Sequence, residues 1–220
     1  MLRPDAMSRP QPQPQPQPDH APAIQHFLNF VTEKSVKGTH GPSPTVNRPF
    51  MPLLRLRTYL EEQDRRRTKD ILQALFPTDD RPIEPEEIAQ RCPRVFAILL
   101  CIGKGQFIGH FARYRNLRDN KLPFEARPSH FPTTSEEGQF WESFYRKQWQ
   151  FCPHIFQYDT DAELEKECIL PIIHKERLAE GGSAVAYKIK LHSMYDQLIT
   201  SERNQLVYSM YCLPFCRPAG

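Results

Sequence analysis

Apolar positions along this chain cluster at helical spacing in its first two thirds and at strand spacing thereafter. Leu53, Leu56 and Leu60 fall at i, i+3 and i+7, and Ile71, Leu72 and Leu75 repeat the pattern. Between them Glu61–Asp70 is almost wholly charged, which fits one long helix with a solvated middle or two helices that meet there. Pro77 ends this segment, and Pro85-Glu-Glu-Ile88 opens a short helix with proline in its first turn and acids against the dipole. Val95–Ile102 is the longest apolar run. With Phe107, Ile108 and Phe111 it predicts two helices broken at Gly103-Lys-Gly105. Phe140, Trp141, Phe144, Tyr145 and Trp149 form a helical aromatic stripe, which reads as core. From Phe151 to Tyr158 the pattern turns strand-like, and Ile169-Leu-Pro-Ile-Ile173 leads into a glycine hairpin.

The N-terminus differs in kind. Proline makes up 22 of 220 residues, about twice the typical share of roughly 5%. Much of the excess lies in residues 1–49, where Gln-Pro alternates from Pro10 to Pro18. Such a run favours extended polyproline II and cannot bury a core. We expect a disordered Pro/Gln-rich tail over 1–49, within which residues 24–36 carry a short amphipathic pattern that folds only transiently or on a partner.

Charge narrows the function classes. Net charge is +3, from 29 basic and 26 acidic residues, too balanced for a dedicated nucleic-acid binder. The one basic run, Arg65, Arg66, Arg67 and Lys69, reads as a solvated helix face. Val95–Ile102 is far short of the roughly 20 residues a membrane span requires. No secretory signal precedes the six cysteines, so they are expected to be reduced and mostly buried, in the cytoplasm or nucleus. Cys212 and Cys216 have no second pair beside them, and no metal site is expected. His110 reads as a half-exposed helix residue. Gly103-Lys-Gly105 lacks the strand, the third glycine and the Ser/Thr of a phosphate loop.

Leu178-Ala-Glu-Gly-Gly-Ser-Ala-Val-Ala-Tyr-Lys-Ile189 predicts a strand, a glycine turn and a second strand alternating Val185, Tyr187 and Ile189. A loop that covers phosphates needs glycines so that the backbone can approach them and visit dihedrals other residues avoid. Against the order G-x-G-x-x-G-x-V, Ala179 takes the first glycine position, Gly181 the second and Ala184 the third, with Ala186 at the valine. Glu180, Gly182 and Ser183 complete the loop. Val185-Ala-Tyr-Lys188 mimics the V-A-x-K of a phosphate-pairing lysine but follows Gly182 too closely. Lys188 and Lys190 therefore read as solvent-facing, alternating with Ile189 and Leu191. Beyond Lys190 there is no lysine, only one aspartate (Asp196), and no H-R-D or D-F-G, whereas phosphoryl transfer needs a lysine, a base and metal-binding acids.

Taken with Phe96-Ala-Ile-Leu-Leu-Cys-Ile-Gly103, Asp119-Asn-Lys-Leu-Pro123, Phe140-Trp-Glu142, Gln148-Trp-Gln-Phe151, Ile169-Leu-Pro171 and Tyr187-Lys-Ile-Lys-Leu-His192, the chain resembles the N-terminal region of fungal serine/threonine protein-kinase-like proteins. The resemblance covers about residues 50–198. It implies an α+β fold: a mainly helical domain over 50–150 and, over 151–198, the start of a kinase N-lobe (strand, glycine loop, strand). It also implies ATP beneath residues 179–186 and phosphate transfer to protein hydroxyls. The pattern departs after His192, and 199–220 reads as an atypical tail, so the expectation is a kinase-like fragment without activity of its own. The alternative is a non-catalytic module that binds a protein partner through helices 95–111 and 138–149. In either case poor solubility is expected, from unpaired hairpin edges beside Leu206-Val-Tyr-Ser-Met-Tyr-Cys-Leu213.

Overall fold

The most apolar stretch of the sequence becomes the most buried helix. The computed structural model describes residues 22–41, 46–78, 81–133, 137–157, 164–180, 184–198 and 215–216. Among these the fold is α+β, with helices and small antiparallel sheets. Helix α1 spans Pro22–Lys34, α2 Leu53–Leu75, α3 Pro85–Arg91, α4 Pro93–Cys101, α5 Ile108–Arg113 and α6 Glu137–Phe151. In α4 every residue from Val95 to Leu100 is buried, at 3% exposure or less. The break expected at Gly103-Lys-Gly105 is present, with Gly103 at φ 67°, a dihedral glycine adopts without a Cβ penalty.

Around α4 the rings interlock. Phe144 of α6 stacks on Phe111 at 5.3 Å and on Phe124 at 5.7 Å, while Phe131 meets Phe111 and Phe144 edge-on. This is the geometry aromatic quadrupoles favour. Gln148, fully buried on α6, accepts from Phe124 N at 2.8 Å and donates to Phe124 O at 2.9 Å. Its amide fastens the loop after α5, so no polar atom of that side chain is left unpaired.

Helix α2 resolves the charged middle: the chain leaves helical geometry at Glu62–Arg65, and two helical stretches meet there. Gln63, Asp64 and Arg65 all adopt positive φ, 52°, 54° and 60°, each costing about 1 kcal/mol relative to ordinary backbone. Thr68 Oγ1 donates to Leu60 O across the break at 2.8 Å.

The expectation of a disordered tail over 1–49 is corrected for 22–41 and 46–49; residues 1–21 lie outside the described region. Helix α1 buries Phe27 and Val31, and Phe30 stacks on Tyr59 of α2 at 4.1 Å. Strand β1 (Val36–His40) then pairs with β2 (Asn47–Phe50) on one side and with β3 (Ile169–Leu170) on the other, giving the order β2-β1-β3. Thr39 faces Leu170 and His40 faces Ile169. Pro49 is tolerated because β2 is an edge strand and needs no donor there.

The boundary expected at 150/151 is therefore crossed by pairing. A second apolar cluster combines Phe50 and Trp149 from one side of it with Ile169, Leu170, Ile172, Ile189, Leu191 and Tyr195 from the other. Of the strand expected over 151–158, the described residues 151–157 form no ladder. Phe151 ends α6, Pro153 stops the helix, and the segment beyond makes the bridge Phe156–Asp196 and donates from His154 N to Ile169 O at 2.9 Å. Tyr195 ties the two parts again: α2 begins after Pro52, which has no side-chain acceptor, and the Tyr195 hydroxyl accepts from Leu53 N at 3.2 Å.

Two substitutions check this account. A Cβ at Gly38 would lie 2.8 Å from both Leu170 O and Phe50 Cδ1. Gly38→Val is expected to destabilise the whole chain by about 1–3 kcal/mol, read from urea denaturation; a local change with an unshifted midpoint would contradict the shared core. Gln63→Gly removes one positive-φ penalty and is expected to stabilise by about 0.5–1 kcal/mol. A lower melting temperature for it would show that the break is not strained.

Candidate functional site

The two strands expected to flank the glycine turn pair with each other. Strand β4 (Ile172–Glu180) pairs antiparallel with β5 (Ala184–Leu191), with irregularities between Ile172 and His174 and between Arg177 and Ala179. Of the sequence-derived site residues, Ala179 faces Ala186, and Glu180 pairs with Val185, next to Ala184. Gly181, Gly182 and Ser183 lie outside the described residues. Strand β6 (Phe215–Cys216) pairs with the start of β5, Ala184 opposite Cys216; the rest of the 199–220 tail, apart from this strand, is outside the described region.

The hairpin is rooted at one end. Ile172, Ile189 and Leu191 are buried, while His174, Glu176, Arg177 and Lys190 are exposed. Of the two lysines expected to face solvent in alternation with Ile189 and Leu191, Lys190 is exposed and Lys188 is half-buried. Lys175 Nζ sits 4.0 Å over the Tyr187 ring, and burial holds its ammonium below the usual lysine range.

A second concave site was not foreseen. A cavity of about 600 Å³ opens between α2, α3, the start of α4 and the loop after α5. Its walls carry Arg57, Arg91, Arg94, Arg115 and Arg118, with Asp119 as the one carboxylate. Asp119 accepts from Arg94 N at 2.8 Å and from Val95 N at 2.9 Å, closing the N-terminus of α4. Glu87 meets Arg91 at 3.0 Å and Arg118 at 3.5 Å. Arg118 also donates to Ala112 O. The Nε of Arg94 is buried without a partner. The only sequence signal for this site is the spacing Arg91-x-x-Arg94 and Arg115-x-x-Arg118, which places arginines on two facing segments.

Other candidate chemistry is quiet. Cys92, Cys101, Cys152 and Cys168 are free thiols, three of them buried. Burial pushes Cys92 and Cys152 up to about 12 and Cys101 and Cys168 to about 11, so none is a ready nucleophile. His110 is bonded to His130 O at 2.7 Å. Among the described residues no cluster of His, Cys, Asp and Glu is placed to hold a metal ion, and no helix is long and apolar enough to cross a membrane. Comparison with family models, curated proteins and solved structures returns no match for this chain.

Burial lifts the Asp119 carboxyl to about 6, against the downward pull of the two amides and of Arg94 and Arg57. An unfolded aspartate titrates near 3.9, so the folded state holds the extra proton between these values. Stability is therefore expected to fall as pH rises from about 4 to 6, by up to about 3 kcal/mol. Asp119→Asn keeps one acceptor and removes the titration. Its urea midpoint should lack this component of the slope between pH 4 and 6; a slope equal to the parent's would exclude Asp119 as its source.

Proposed function

We propose that this chain supplies the helical platform and the glycine hairpin of a kinase-like nucleotide-binding lobe, and that it does not transfer phosphate by itself. The observation that carries this reading is the β4–β5 pairing on either side of Gly181-Gly182-Ser183, rooted through Ile172, Ile189 and Leu191 in the core that Phe50 and Trp149 share. A phosphate-covering loop works only if its two strands are held at a fixed base, and the helices give that base. Residues 179–186 would lie over the phosphates of ATP, with one glycine of three at its expected place. Residues 191–220 hold no lysine and neither an H-R-D nor a D-F-G sequence, the parts that supply the lysine, base and metal-binding acids of phosphoryl transfer.

The alternative, a protein partner taken up through 95–111 and 138–149, has less support. The apolar side chains of α4 and the Phe140–Phe144 stripe of α6 are buried within the chain's own core. The exposed apolar residues, among them Leu54, Ile155 and Ile173, come from separate elements. Free buried thiols are compatible with a cytoplasmic or nuclear protein.

Mg-ATP titration of the purified chain, followed by thermal shift, tests the reading. No stabilisation that depends on Gly181 and Gly182 is expected, so the parent and a Gly181→Val/Gly182→Val variant should respond alike. A ligand bound under the loop at a hundred times its Kd would stabilise by about 2.7 kcal/mol. Saturable stabilisation of that order, abolished in the double variant, would mean that the loop binds nucleotide unaided and would overturn the inert half of the proposal.

A further inference from the structure

The geometry points to the arginine-lined cavity between α2, α3, α4 and the loop after α5 as a binding site for a small polyphosphate, separate from the glycine hairpin. No residue of β4 or β5 lines it.

Three observations carry the inference. The first is an excess of positive charge, five arginines in a wall that holds one carboxylate. Asp119, the one carboxylate in the wall, is committed to the amides of Arg94 and Val95, and Glu87 is shared by Arg91 and Arg118. Arg57, Arg94 and Arg115 meet no carboxylate within ion-pair distance among the described residues. Like charges gathered around one concavity repel unless an anion joins them. The second is an unsatisfied donor: the Nε of Arg94, a residue of the cavity wall, is buried without a hydrogen-bond partner, a state that costs free energy until a ligand oxygen or water satisfies it.

The third is the fit between size and chemistry. A cavity of about 600 Å³ falls in the range of small-molecule sites, roughly 300–1,000 Å³. Guanidinium forks match phosphate oxygens two at a time, and five of them exceed what a single phosphate can use. Linked phosphates can engage Arg94 and Arg118 within and Arg57, Arg91 and Arg115 at the mouth. Gln90 and Asn120, also in the wall, offer neutral hydrogen-bonding groups beside them. A nucleic-acid strand fits less well, because the charge is gathered in one concavity and not laid along a stripe with stacking aromatics.

Isothermal titration of the full chain at 150 mM salt tests this, with tripolyphosphate as the probe and inorganic phosphate and metal-free ADP as comparisons. Saturable one-to-one binding of tripolyphosphate is expected, with inorganic phosphate at least about tenfold weaker. Arg57→Gln with Arg115→Gln, both exposed positions, should weaken tripolyphosphate by at least about tenfold. Arg146→Gln, whose side chain pairs with Glu142 on α6 outside the cavity, should leave it unchanged. If the double variant loses its folded circular-dichroism spectrum, Arg115→Lys serves instead: it keeps the charge but loses the fork, and should still bind more weakly. ADP that displaces tripolyphosphate would identify a nucleotide as the source of the phosphates. ADP that does not would identify a free polyphosphate. No saturable binding of tripolyphosphate, or equal weakening by Arg146→Gln, would overturn the proposal. Neither result bears on Gly181 and Gly182.

Discussion

The helical part of this protein depends on how one buried helix end is closed. Helix α4 is apolar from Val95 onward and packs against α6, α2, α3 and α5. Its first amides therefore cannot all turn to water, and Cys92, in the N-cap position, accepts no side-chain bond of its own there. The acceptor comes from elsewhere in the chain, in the carboxylate of Asp119, which binds two successive amides. Holding a carboxylate in that place is costly in itself, and this is why its proton is lost only near pH 6. The arginines gathered around it relieve part of that cost. The cap and the cavity are thus two aspects of one arrangement: an anion is needed inside, and cations collect about it.

A second constraint joins the helices to the hairpin. Strand β1 sits between β2 and β3, and Gly38 permits the approach, since any side chain there would collide with the backbone of Leu170 and the ring of Phe50. Helix α6 serves both clusters. Phe140, Phe144 and Phe151 point into the first, while Trp149 belongs to the second. The hairpin base, at Ile172, Ile189 and Leu191, inherits its position from this seam.

The helices were legible because their information is local. The 3.6-residue spacing of Leu53–Leu60, Ile71–Leu75 and Phe140–Trp149, and the glycine break at 103–105, are each contained within a dozen or so residues. So is the strand alternation Tyr187-Lys-Ile-Lys-Leu191. What escaped the sequence was long-range. Val36-Lys-Gly-Thr-His40 has one apolar side chain of any size and reads as linker; it becomes a strand because β3 lies beside it. The strand-like reading of 151–158 failed over the described residues 151–157 because apolar spacing alone cannot tell the last turn of a helix and an irregular loop from a ladder. The cavity was hidden for the same reason, as Arg57, Arg91, Arg94, Arg115 and Arg118 come from four elements and no local run marks them.

The ring nitrogen of His40 bonds to Lys166 O across 126 positions of sequence, and β1 meets β3 over a similar span. On a ribosome this has an order built in. The helices from α2 to α6 pack largely on one another and can consolidate once α6 has emerged, but β1 must remain without one of its two partners until Ile169 and Leu170 have been made. Closing so long a loop is the slow kind of step. The earliest of the described strands is thus among the last to be completed, and until then its open edge is a place where the nascent chain is exposed to pairing with the wrong neighbour.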